Sequence, residues 1–422
     1  MQEEKKLKVM VLSDHPLSPS GVGTQTRYMI AGLLQTGKFE FVCLGGAVKH
    51  ANYEPQTVDP YGKSWVIYPV DGYGSPEMIR SLMRLEKPDI LWFMTDPRFY
   101  GWLWDMEDEV RPQIPMVYYH VWDNYPYPHF NKPSYESTDV IAAISKVTDD
   151  IVKTVAPKVE SHYLPHSIDT DLFRNVSDTE EIQNFRKEYY LEDGEKTVFF
   201  WNNRNARRKQ SGTLIFWFKE FLDKVGHDKA KLVMHTDVKD PHGQDLEAIV
   251  RELDLVNGEI MFSQQKLDLD KVPLLYNAAD CTINISDAEG FGLSTLESLA
   301  CEKPIIVNMT GGLQEQVTDG EEWFGFGLEP SSKSIIGSQE IPWIYEDRLN
   351  KDDFINALEK FLNLSEEERK EMGKKGRAHV MKNYNFKNYI SSWENLLLNV
   401  HEKHGSWETR KNYEAWICKE VV

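Results

Sequence analysis

Short apolar runs alternate with segments of helical periodicity along most of this 422-residue chain. Near-continuous apolar runs separated by helical segments are typical of strands that are buried on both faces of a parallel sheet. In the first half of the chain this pattern predicts strands at 7–13, 39–44, 65–70, 89–95, 116–120 and 140–145. In the second half it predicts strands at 197–201, 231–235, 260–263, 281–286 and 304–308.

Helical patterns fill the intervals between the predicted strands. They include 76–85, 211–225, 244–253, 271–279 and 293–302, and the chain ends in helical segments at 351–363, 365–382 and 386–401. The rhythm of strands and helices restarts after a short polar stretch at 169–180. We therefore predict an α/β fold with two doubly wound, Rossmann-like domains, 1–170 and 171–385, followed by a terminal helix and tail at 386–422. Tandem sheets of this kind are expected to face a central cleft.

Composition narrows the class of protein. No apolar run reaches the roughly 18 residues of a membrane span, and residues 1–8 are charged, unlike a secretory signal. The cysteines at 43, 281, 301 and 418 lack metal-ligand spacing. The net charge is −19 and both halves are acidic, so neither half offers the broad basic field of a nucleic-acid-binding protein. These features predict a soluble, cytoplasmic protein without a nucleic-acid partner, and they leave the oligomeric state open.

The segment 286–297, SDAEGFGLSTLE, follows a predicted strand and opens a predicted helix. Gly290 and Gly292 allow backbone N–H groups to approach a ligand closely, and the helix N-terminus behind them is suited to a phosphate group. Glu289 precedes this turn and Glu297 lies further along the helix. A carboxylate can accept a pair of hydrogen bonds from the vicinal hydroxyls of a ribose or a hexose. The segment therefore predicts a site for a phosphorylated sugar.

A basic turn follows the first predicted strand of the second half, at 201–210, WNNRNARRKQ. Its cations are Arg204, Arg207, Arg208 and Lys209. The planar guanidinium of Arg and the compact ammonium of Lys both bind phosphate oxygens. The turn is thus a candidate site for a diphosphate, and the sequence leaves open whether Arg207 or Arg208 shares that role.

Together these two segments resemble glycosyltransferase family 4, whose signature is a pair of glutamates around a Gly-Phe-Gly loop. The resemblance extends from about residue 8 to residue 400. It implies the GT-B fold and a retaining, metal-independent reaction with a nucleotide-sugar as substrate and no cofactor. It further implies that Glu289 contacts the donor sugar, that Glu297 contacts the ribose, and that Arg204 and Lys209 neutralise the leaving diphosphate. The Asn-Arg-Asn at 203–205 departs from the family's usual Gly-Arg-Leu.

Other segments resemble the family at single positions. The turn PSGVG at 19–23 is similar to the family's N-terminal glycine loop, His120 to a histidine that contacts the transferring sugar, and Gly311 and Gly312 to a loop near the phosphate. The helix near 386–400 is similar to the segment that crosses back to the first domain. The resemblance assigns catalysis to His120, Arg204, Lys209 and Glu289, and donor binding to Gly21, Gly23, Gly290, Phe291, Gly292, Leu293, Ser294, Glu297, Gly311 and Gly312.

We therefore expect transfer of a sugar from a nucleotide-diphosphate donor, with UDP mildly favoured over GDP, to a hydroxyl acceptor. Aromatic residues cluster at 92–127, and aromatic faces stack on sugar rings, so a saccharide acceptor is favoured although part of this cluster must be core. Two alternatives remain open. One is a sugar-nucleotide 2-epimerase on the same fold, and the other is a catalytically silent nucleotide-sugar binding module.

No metal site is predicted. The Asp-Leu-Asp at 268–270 has the Asp-x-Asp form that binds metals in a different glycosyltransferase fold. Here it precedes a predicted helix, where acidic residues interact favourably with the helix dipole, so we expect it to cap that helix. No His/Cys cluster has zinc spacing.

Overall fold

The computed structural model describes residues 5–191, 196–265 and 267–414, so Cys418 and the end of the predicted tail lie outside the described residues. The chain divides into two compact units. The N-terminal unit comprises the residues up to Trp122, Tyr127–Ser167 and the residues from Lys387 onward, and the C-terminal unit comprises Asp123–Pro126 and Ile168–Phe386. The sequence places these boundaries after 170 and after 385; the structure places them after 167 and after 386.

A largely parallel sheet forms the centre of the N-terminal unit. Its strands are β1 (Leu7–Asp14), β2 (Phe39–Gly46), β3 (Gln56–Val58), β4 (Gly62–Pro69), β5 (Ile90–Met94), β6 (Met116–His120), β7 (Val140–Ala143) and β8 (Glu160–Tyr163). Their order in the sheet is β3-β4-β2-β1-β5-β6-β7-β8, with β3 antiparallel to β4. Strands β3 and β8 were not predicted, because these edge strands are polar and half exposed and therefore lack an apolar run.

Helices cover this sheet, and the longer ones within residues 21–155 begin at a capping serine. They are α1 (Gly21–Gln35), α2 (Pro76–Glu86), α3 (Gly101–Trp104), α4 (Glu107–Val110), α5 (Lys132–Glu136) and α6 (Lys146–Val155). The hydroxyl of Ser20 accepts from the N–H of Gly23 at the start of α1, and Ser75 and Ser145 cap α2 and α6 in the same way. A capping hydroxyl satisfies one of the N–H groups that have no partner within the helix.

The aromatic cluster at 92–127 is mainly core. Trp92, Tyr100, Tyr118 and Tyr119 are fully buried, and the ring of Phe93 stacks on that of Tyr118 with centroids 4.7 Å apart. A fully buried ring cannot present its face to a saccharide. The packing interpretation of this cluster is therefore confirmed for these residues, and they give no support to a saccharide acceptor.

The end of the chain completes the N-terminal unit. Helix α15 (Phe386–His404) inserts the buried Trp393 against Trp92 and Tyr119, with ring centroids 5.7 and 4.8 Å apart. After this helix, the hydroxyl of Ser406 donates to Asp89 at 2.8 Å. These contacts bind the end of the chain to β5, β6 and the residue that precedes β5.

A second parallel sheet forms the centre of the C-terminal unit. Its strands are β9 (Thr197–Asn202), β10 (Ala230–His235), β11 (Ile260–Ser263), β12 (Cys281–Asn284), β13 (Ile305–Asn308) and β14 (Gly325–Leu328), in the order β11-β10-β9-β12-β13-β14. Because β9 and β12 are neighbours, the loops that follow their carboxyl ends lie side by side. These are the two segments that the sequence singles out at 201–210 and 286–297.

The helices of this unit are α7 (Glu180–Tyr189), α8 (Ser211–Val225), α9 (Leu246–Glu252), α10 (Val272–Asn277), α11 (Leu293–Ala300), α12 (Gln314–Val317), α13 (Lys351–Leu362) and α14 (Glu366–Asn383). Apolar residues of α8 and α13 pack on one face of the sheet, where Phe199, Phe218 and Phe361 meet edge to face. An antiparallel hairpin, β15 (Ser332–Ile336) and β16 (Ile344–Arg348), lies between β14 and α13 and was not predicted.

Candidate functional site

The Gly-Phe-Gly loop sits between β12 and the N-terminus of α11. Gly292 adopts a φ of 92°, a left-handed conformation that favours glycine, and it is the N-cap residue of α11 without a side-chain capping bond. A Cβ at Gly292 would lie 2.8 Å from the hydroxyl of Thr295. The first turn of α11, with Leu293 and Ser294 partly exposed, therefore presents backbone N–H groups that no side chain caps among the described residues.

The turn at Gly311–Leu313 holds this loop in place. The N–H of Gly312 donates to the carbonyl of Glu289 at 3.1 Å, and a Cβ at Gly312 would lie 2.7 Å from the Cα of Phe291. Gly311, with a φ of 49°, approaches the same carbonyl so closely that no larger residue fits. The amide of Gln316 donates to the carbonyl of Phe291 at 2.7 Å. The predicted glycines at 290–292 and 311–312 thus form one packed backbone structure.

Lys209 and Glu289 form an ion pair beside this loop, and their side chains are only 9% and 12% exposed. The amide of Asn284 donates to the same Glu289 carboxylate at 3.3 Å. Burial lowers the pKa of Lys209 to about 8, and the neighbouring Arg208 acts in the same direction. Burial opposes ionisation of Glu289, but Lys209 and Arg208 outweigh it and hold the pKa of Glu289 below its ordinary value. Both members of the pair are therefore charged at neutral pH.

Glu297 lies one turn along α11 and ends a chain of hydrogen bonds. The hydroxyl of Tyr276 donates to Glu297 at 2.5 Å, and the amide of Asn202 donates to the same hydroxyl at 2.8 Å. Tyr276 is fully buried, whereas Glu297 is partly exposed. Burial raises the pKa of Glu297 to about 7, although the bond from Tyr276 opposes this shift.

Arg204 does not join the Lys209–Glu289 pair. Its side chain is 60% exposed and donates to Asp240 at 2.6 and 3.1 Å, and it contacts the imidazole Nδ1 of His242 at 2.7 Å. The hydrogen bond from Arg204 holds the pKa of Asp240 well below its ordinary value. The expected convergence of Arg204 and Lys209 is thus not seen in this structure, and the role of Arg204 toward a diphosphate stays a prediction.

The other arginines of the basic turn have different partners. Arg207 forms a two-pronged ion pair with Glu346 of the hairpin. Arg208 donates from Nη1 to the carbonyl of Ala288, directly before Glu289. Arg208 is therefore the arginine of this turn that lies next to the Lys209–Glu289 pair.

The candidates in the N-terminal unit occupy separate places. Gly21 and Gly23 lie in the first turn of α1, where a Cβ at Gly23 would meet the hydroxyl of Ser18 at 2.4 Å. His120, the last residue of β6, is fully buried and its Nε2 lies 2.6 Å from the hydroxyl of Tyr135. Burial lowers the pKa of His120 to about 3, so its imidazole is neutral at physiological pH. The predicted contact of His120 with a sugar remains a prediction.

Several residues of the site were missed in the sequence. Asn284 donates to Glu289, and Asp287 accepts from Gln210 of the basic turn. Tyr276 donates to Glu297, and Gln316 donates to the glycine loop. The signal that could have found Asn284 and Asp287 is their position at the carboxyl end of β12, where ligands bind in open α/β sheets. Tyr276 and Gln316 reach the site through the packing of helices, which a single sequence does not reveal.

The Asp-Leu-Asp segment at 268–270 does not cap a helix, and this expectation was wrong. Helix α10 starts at Val272 with Lys271 as its N-cap, and the carbonyl of Asp268 accepts from the N–H of Lys271 in a preceding turn. Within the part of the chain that the structure describes, no group of three or more His, Cys, Asp or Glu side chains is placed to hold a metal ion. Among the described helices, none combines the length and the apolar composition that crossing a bilayer requires.

The fold identifies the class of protein. The chain superposes on sucrose-phosphate synthase from Thermosynechococcus elongatus with a TM-score of 0.74 at 16% identity, over 94% of this chain and 100% of that one. It also superposes on HepE from Anabaena in complex with UDP-glucose, with a TM-score of 0.66 at 13% identity, over 93% and 100% of the two chains. These similarities establish the GT-B fold with its two Rossmann-like units, as predicted.

Sequence similarity then identifies the family of one domain. Residues 181–379 match the model of the family described as glycosyl transferases group 1, so the chain contains a domain of that family. N-acetyl-alpha-D-glucosaminyl L-malate synthase from Bacillus anthracis is 24% identical over 267 residues, which span 63% of this chain and 61% of that protein. The chain spans less than two thirds of the length of the first curated relatives that it matches. The predicted family resemblance is confirmed for this domain, and its family supports the predicted transferase class.

Proposed function

We propose that the protein is a retaining, metal-independent glycosyltransferase that moves a sugar from a nucleotide-diphosphate donor to a hydroxyl acceptor. The observation that carries this proposal is the buried Lys209–Glu289 ion pair beside the glycine-opened N-terminus of α11, with Glu297 further along the same helix. A cation, a helix N-terminus and two carboxylates within one loop system match the phosphates and the hydroxyl groups of a nucleotide-sugar.

The reaction places negative charge on the leaving diphosphate when the bond at the anomeric carbon breaks. Lys209 stays mainly protonated at pH 7, because its pKa of about 8 lies above that pH. Together with the first N–H groups of α11, it offers fixed positive charge where the diphosphate leaves. Such electrostatic stabilisation acts on the transition state and needs no proton transfer from these groups.

The two glutamates hold the sugars at either end of the diphosphate. Glu289 is fixed by Lys209 and Asn284 and can accept from hydroxyls of the donor sugar, which keeps the anomeric carbon in register for attack. Glu297, held by Tyr276, can accept from the ribose hydroxyls. Retention of the anomeric configuration is proposed from the family resemblance.

Similar proteins support the proposed donor and acceptor. UDP is favoured over GDP because HepE, which shares the fold, was obtained in complex with UDP-glucose. A saccharide acceptor is favoured by the similarity to a sucrose-phosphate synthase, and the similarity to N-acetyl-alpha-D-glucosaminyl L-malate synthase suggests a hydroxy acid as the other candidate. We also propose a cytoplasmic location, with which the free, buried cysteines at 43, 281 and 301 are consistent.

The test is a donor screen with EDTA present throughout. The purified protein is incubated with UDP-, GDP- and ADP-sugars, with and without a panel of saccharides and hydroxy acids, and nucleotide release and glycosylated product are measured. We expect acceptor-dependent release of nucleoside diphosphate, and a product whose anomeric coupling constant in NMR matches that of the donor. An epimerised sugar-nucleotide would support the 2-epimerase, and binding without turnover would support a silent binding module.

A matched pair of variants links the activity to the site. Glu289→Gln removes the carboxylate charge with little change in shape, and we expect it to lower turnover by about 10²-fold or more. Glu321→Gln changes an exposed carboxylate of the same unit and is expected to retain the wild-type rate. Equal activity of the two variants would exclude Glu289 from the proposed mechanism.

A further inference from the structure

The basic turn that follows β9 carries three arginines whose partners differ in charge. Arg204 is paired with the carboxylate of Asp240, which is only 10% exposed. Arg207 is paired with Glu346, which is buried. Two of these three cations are therefore already neutralised by carboxylates of the protein.

Arg208 is held differently. Its guanidinium donates to a neutral acceptor, the carbonyl of Ala288, and its own carbonyl accepts from the N–H of Asp287 at 2.8 Å. Side chain and main chain of Arg208 are thus both fixed to the two residues that directly precede Glu289. Among residues 5–191, 196–265 and 267–414, no acidic side chain forms an ion pair with Arg208, so its charge is not cancelled locally by a described residue.

The charge of Arg208 affects the pKa values of both residues of the Lys209–Glu289 pair. It lowers the pKa of Lys209 and contributes to the low pKa of Glu289, so its guanidinium lies within effective electrostatic range of both. Lys209 and Glu289 cancel each other, so the positive charge of Arg208 is the one that the pair itself does not neutralise, although Asp123 also acts on Lys209. A diphosphate is strongly negative and would be attracted by that charge.

We infer that Arg208, rather than Arg204, is the second cation that binds the diphosphate of the donor. The inference rests on the proposed function and assigns a residue that departs from the spacing of the family signature. For Arg204 to bind the ligand, it would have to give up its two hydrogen bonds to Asp240, whose carboxylate would keep only the bonds from His242. Arg208 would exchange a neutral carbonyl for phosphate oxygens, and a hydrogen bond to an ionised acceptor is stronger.

The test compares binding of UDP and UMP, or of GDP and GMP if the donor screen selects guanine, by calorimetry with EDTA present. Arg208→Ala removes the guanidinium, and Arg208→Gln keeps an N–H donor for the carbonyl of Ala288 without the charge. A charge-assisted hydrogen bond contributes about 1.5–3 kcal/mol, so we expect both variants to lose roughly 10- to 100-fold in diphosphate affinity. The loss for the monophosphate is expected to be smaller.

Three further variants serve as comparisons. Arg208→Lys keeps the charge and is expected to recover part of the affinity. Arg204→Ala is expected to lose at least tenfold less diphosphate affinity than Arg208→Ala. Arg251→Ala, an exposed arginine of α9, controls for the loss of one positive charge from the unit.

The outcomes separate this inference from the proposed function. If the wild type binds no nucleoside diphosphate, both fail. Suppose that the wild type binds and turns over a donor. If Arg208→Gln then binds the nucleoside diphosphate as tightly as the wild type, or if Arg204→Ala loses more diphosphate affinity than Arg208→Ala, the assignment of Arg208 is overturned and the proposed function stands. Should Arg208→Ala not fold, the diphosphate affinities of Arg208→Gln and Arg208→Lys test the assignment of Arg208. Both variants can keep the bond to Ala288, and only Arg208→Lys keeps the charge.

Discussion

Replacement of Lys209 by methionine tests the ion pair at the centre of the site. Methionine keeps most of the length and the apolar stem of lysine but removes the charge. Glu289 would then lose its main cation while its side chain stays 12% exposed, with Asn284 and Arg208 as the remaining groups that favour its ionised form. The variant therefore isolates the electrostatic part of the pair.

The magnitude follows from this environment. Removing one partner of a buried ion pair costs about 3–5 kcal/mol, and the remaining bonds to Glu289 place the expected loss at the lower end, about 3 kcal/mol at pH 7, where Lys209 with its pKa of about 8 is still mainly protonated. In the wild type the pKa of Glu289 is lowered, so its contribution to stability is present above its ordinary pKa and is lost as pH falls through the lowered value. In Lys209→Met we expect burial to raise this pKa, so stability is lost as pH rises instead. The difference between the two proteins should shrink from pH 7 to pH 5.

Hydrogen exchange of the amides in β9 and β12 is the appropriate assay, because a chain of two units need not unfold in one step. It is carried out at pH 5 and pH 7 on the wild type, on Lys209→Met and on the double variant Lys209→Met/Glu289→Gln. The double variant removes both charges and should recover most of the stability lost at pH 7. Turnover of the donor should fall by about 10²- to 10³-fold in Lys209→Met.

Two results would refute this reasoning. One is a loss of stability in Lys209→Met that is the same at both pH values, since an unpaired carboxylate must respond to pH. The other is a double variant that is no more stable than Lys209→Met at pH 7. Near-normal turnover by Lys209→Met would separately remove Lys209 from the catalytic mechanism.

Three more predictions follow from the structure. Burial raises the pKa of Glu297 to about 7, and the carboxylate is the form that accepts from ribose hydroxyls, so the KM for the donor should fall from pH 6 to pH 8. Glu297→Gln should raise that KM about tenfold at pH 8 and make it independent of pH over this range. A KM that depends on pH in the variant as it does in the wild type would contradict this role. Gly312→Ala places a Cβ 2.7 Å from the backbone of the glycine loop and should weaken donor binding about tenfold or more in calorimetry. Gly101→Ala is the control: a Cβ there meets nothing within 4 Å, so donor binding should be unchanged. Asp139, 2% exposed, pairs with the guanidinium groups of both Arg410 and Arg111, so Asp139→Asn should cost the N-terminal unit about 3 kcal/mol in hydrogen exchange. A loss below 1 kcal/mol would count against these two pairs as stabilising contacts.

The sequence predicted the elements that have a clear apolar pattern. Helix α8 and strand β11 have the predicted bounds, because each is an uninterrupted pattern between breaking residues. The hairpin of β15 and β16 was missed, because β15 is mostly exposed, β16 carries charged residues at 346–348, and neither strand has an apolar face from which a period could be recognised. Its contribution to the site, through Glu346, was therefore also invisible.

The candidate site was predicted in part for a related reason. The sequence identified both the turn after β9 and the loop after β12, but not that these strands are neighbours in the sheet, which is what brings Lys209 onto Glu289. The partner of Arg204 lies 36 residues away at Asp240, on a loop whose path depends on tertiary packing. Spacing in the chain can suggest which cations share a turn, but not which of them the fold has already neutralised.

The return of α15 to the first unit sets an order for biosynthesis. Trp92 and Tyr119 emerge from the ribosome roughly 270 to 300 residues before Trp393, the side chain that fills the space beside them. The N-terminal unit is thus begun first and finished last, after the whole C-terminal unit has been translated. A nonsense codon immediately after residue 386 would leave that first core open, although the whole C-terminal unit would have been made.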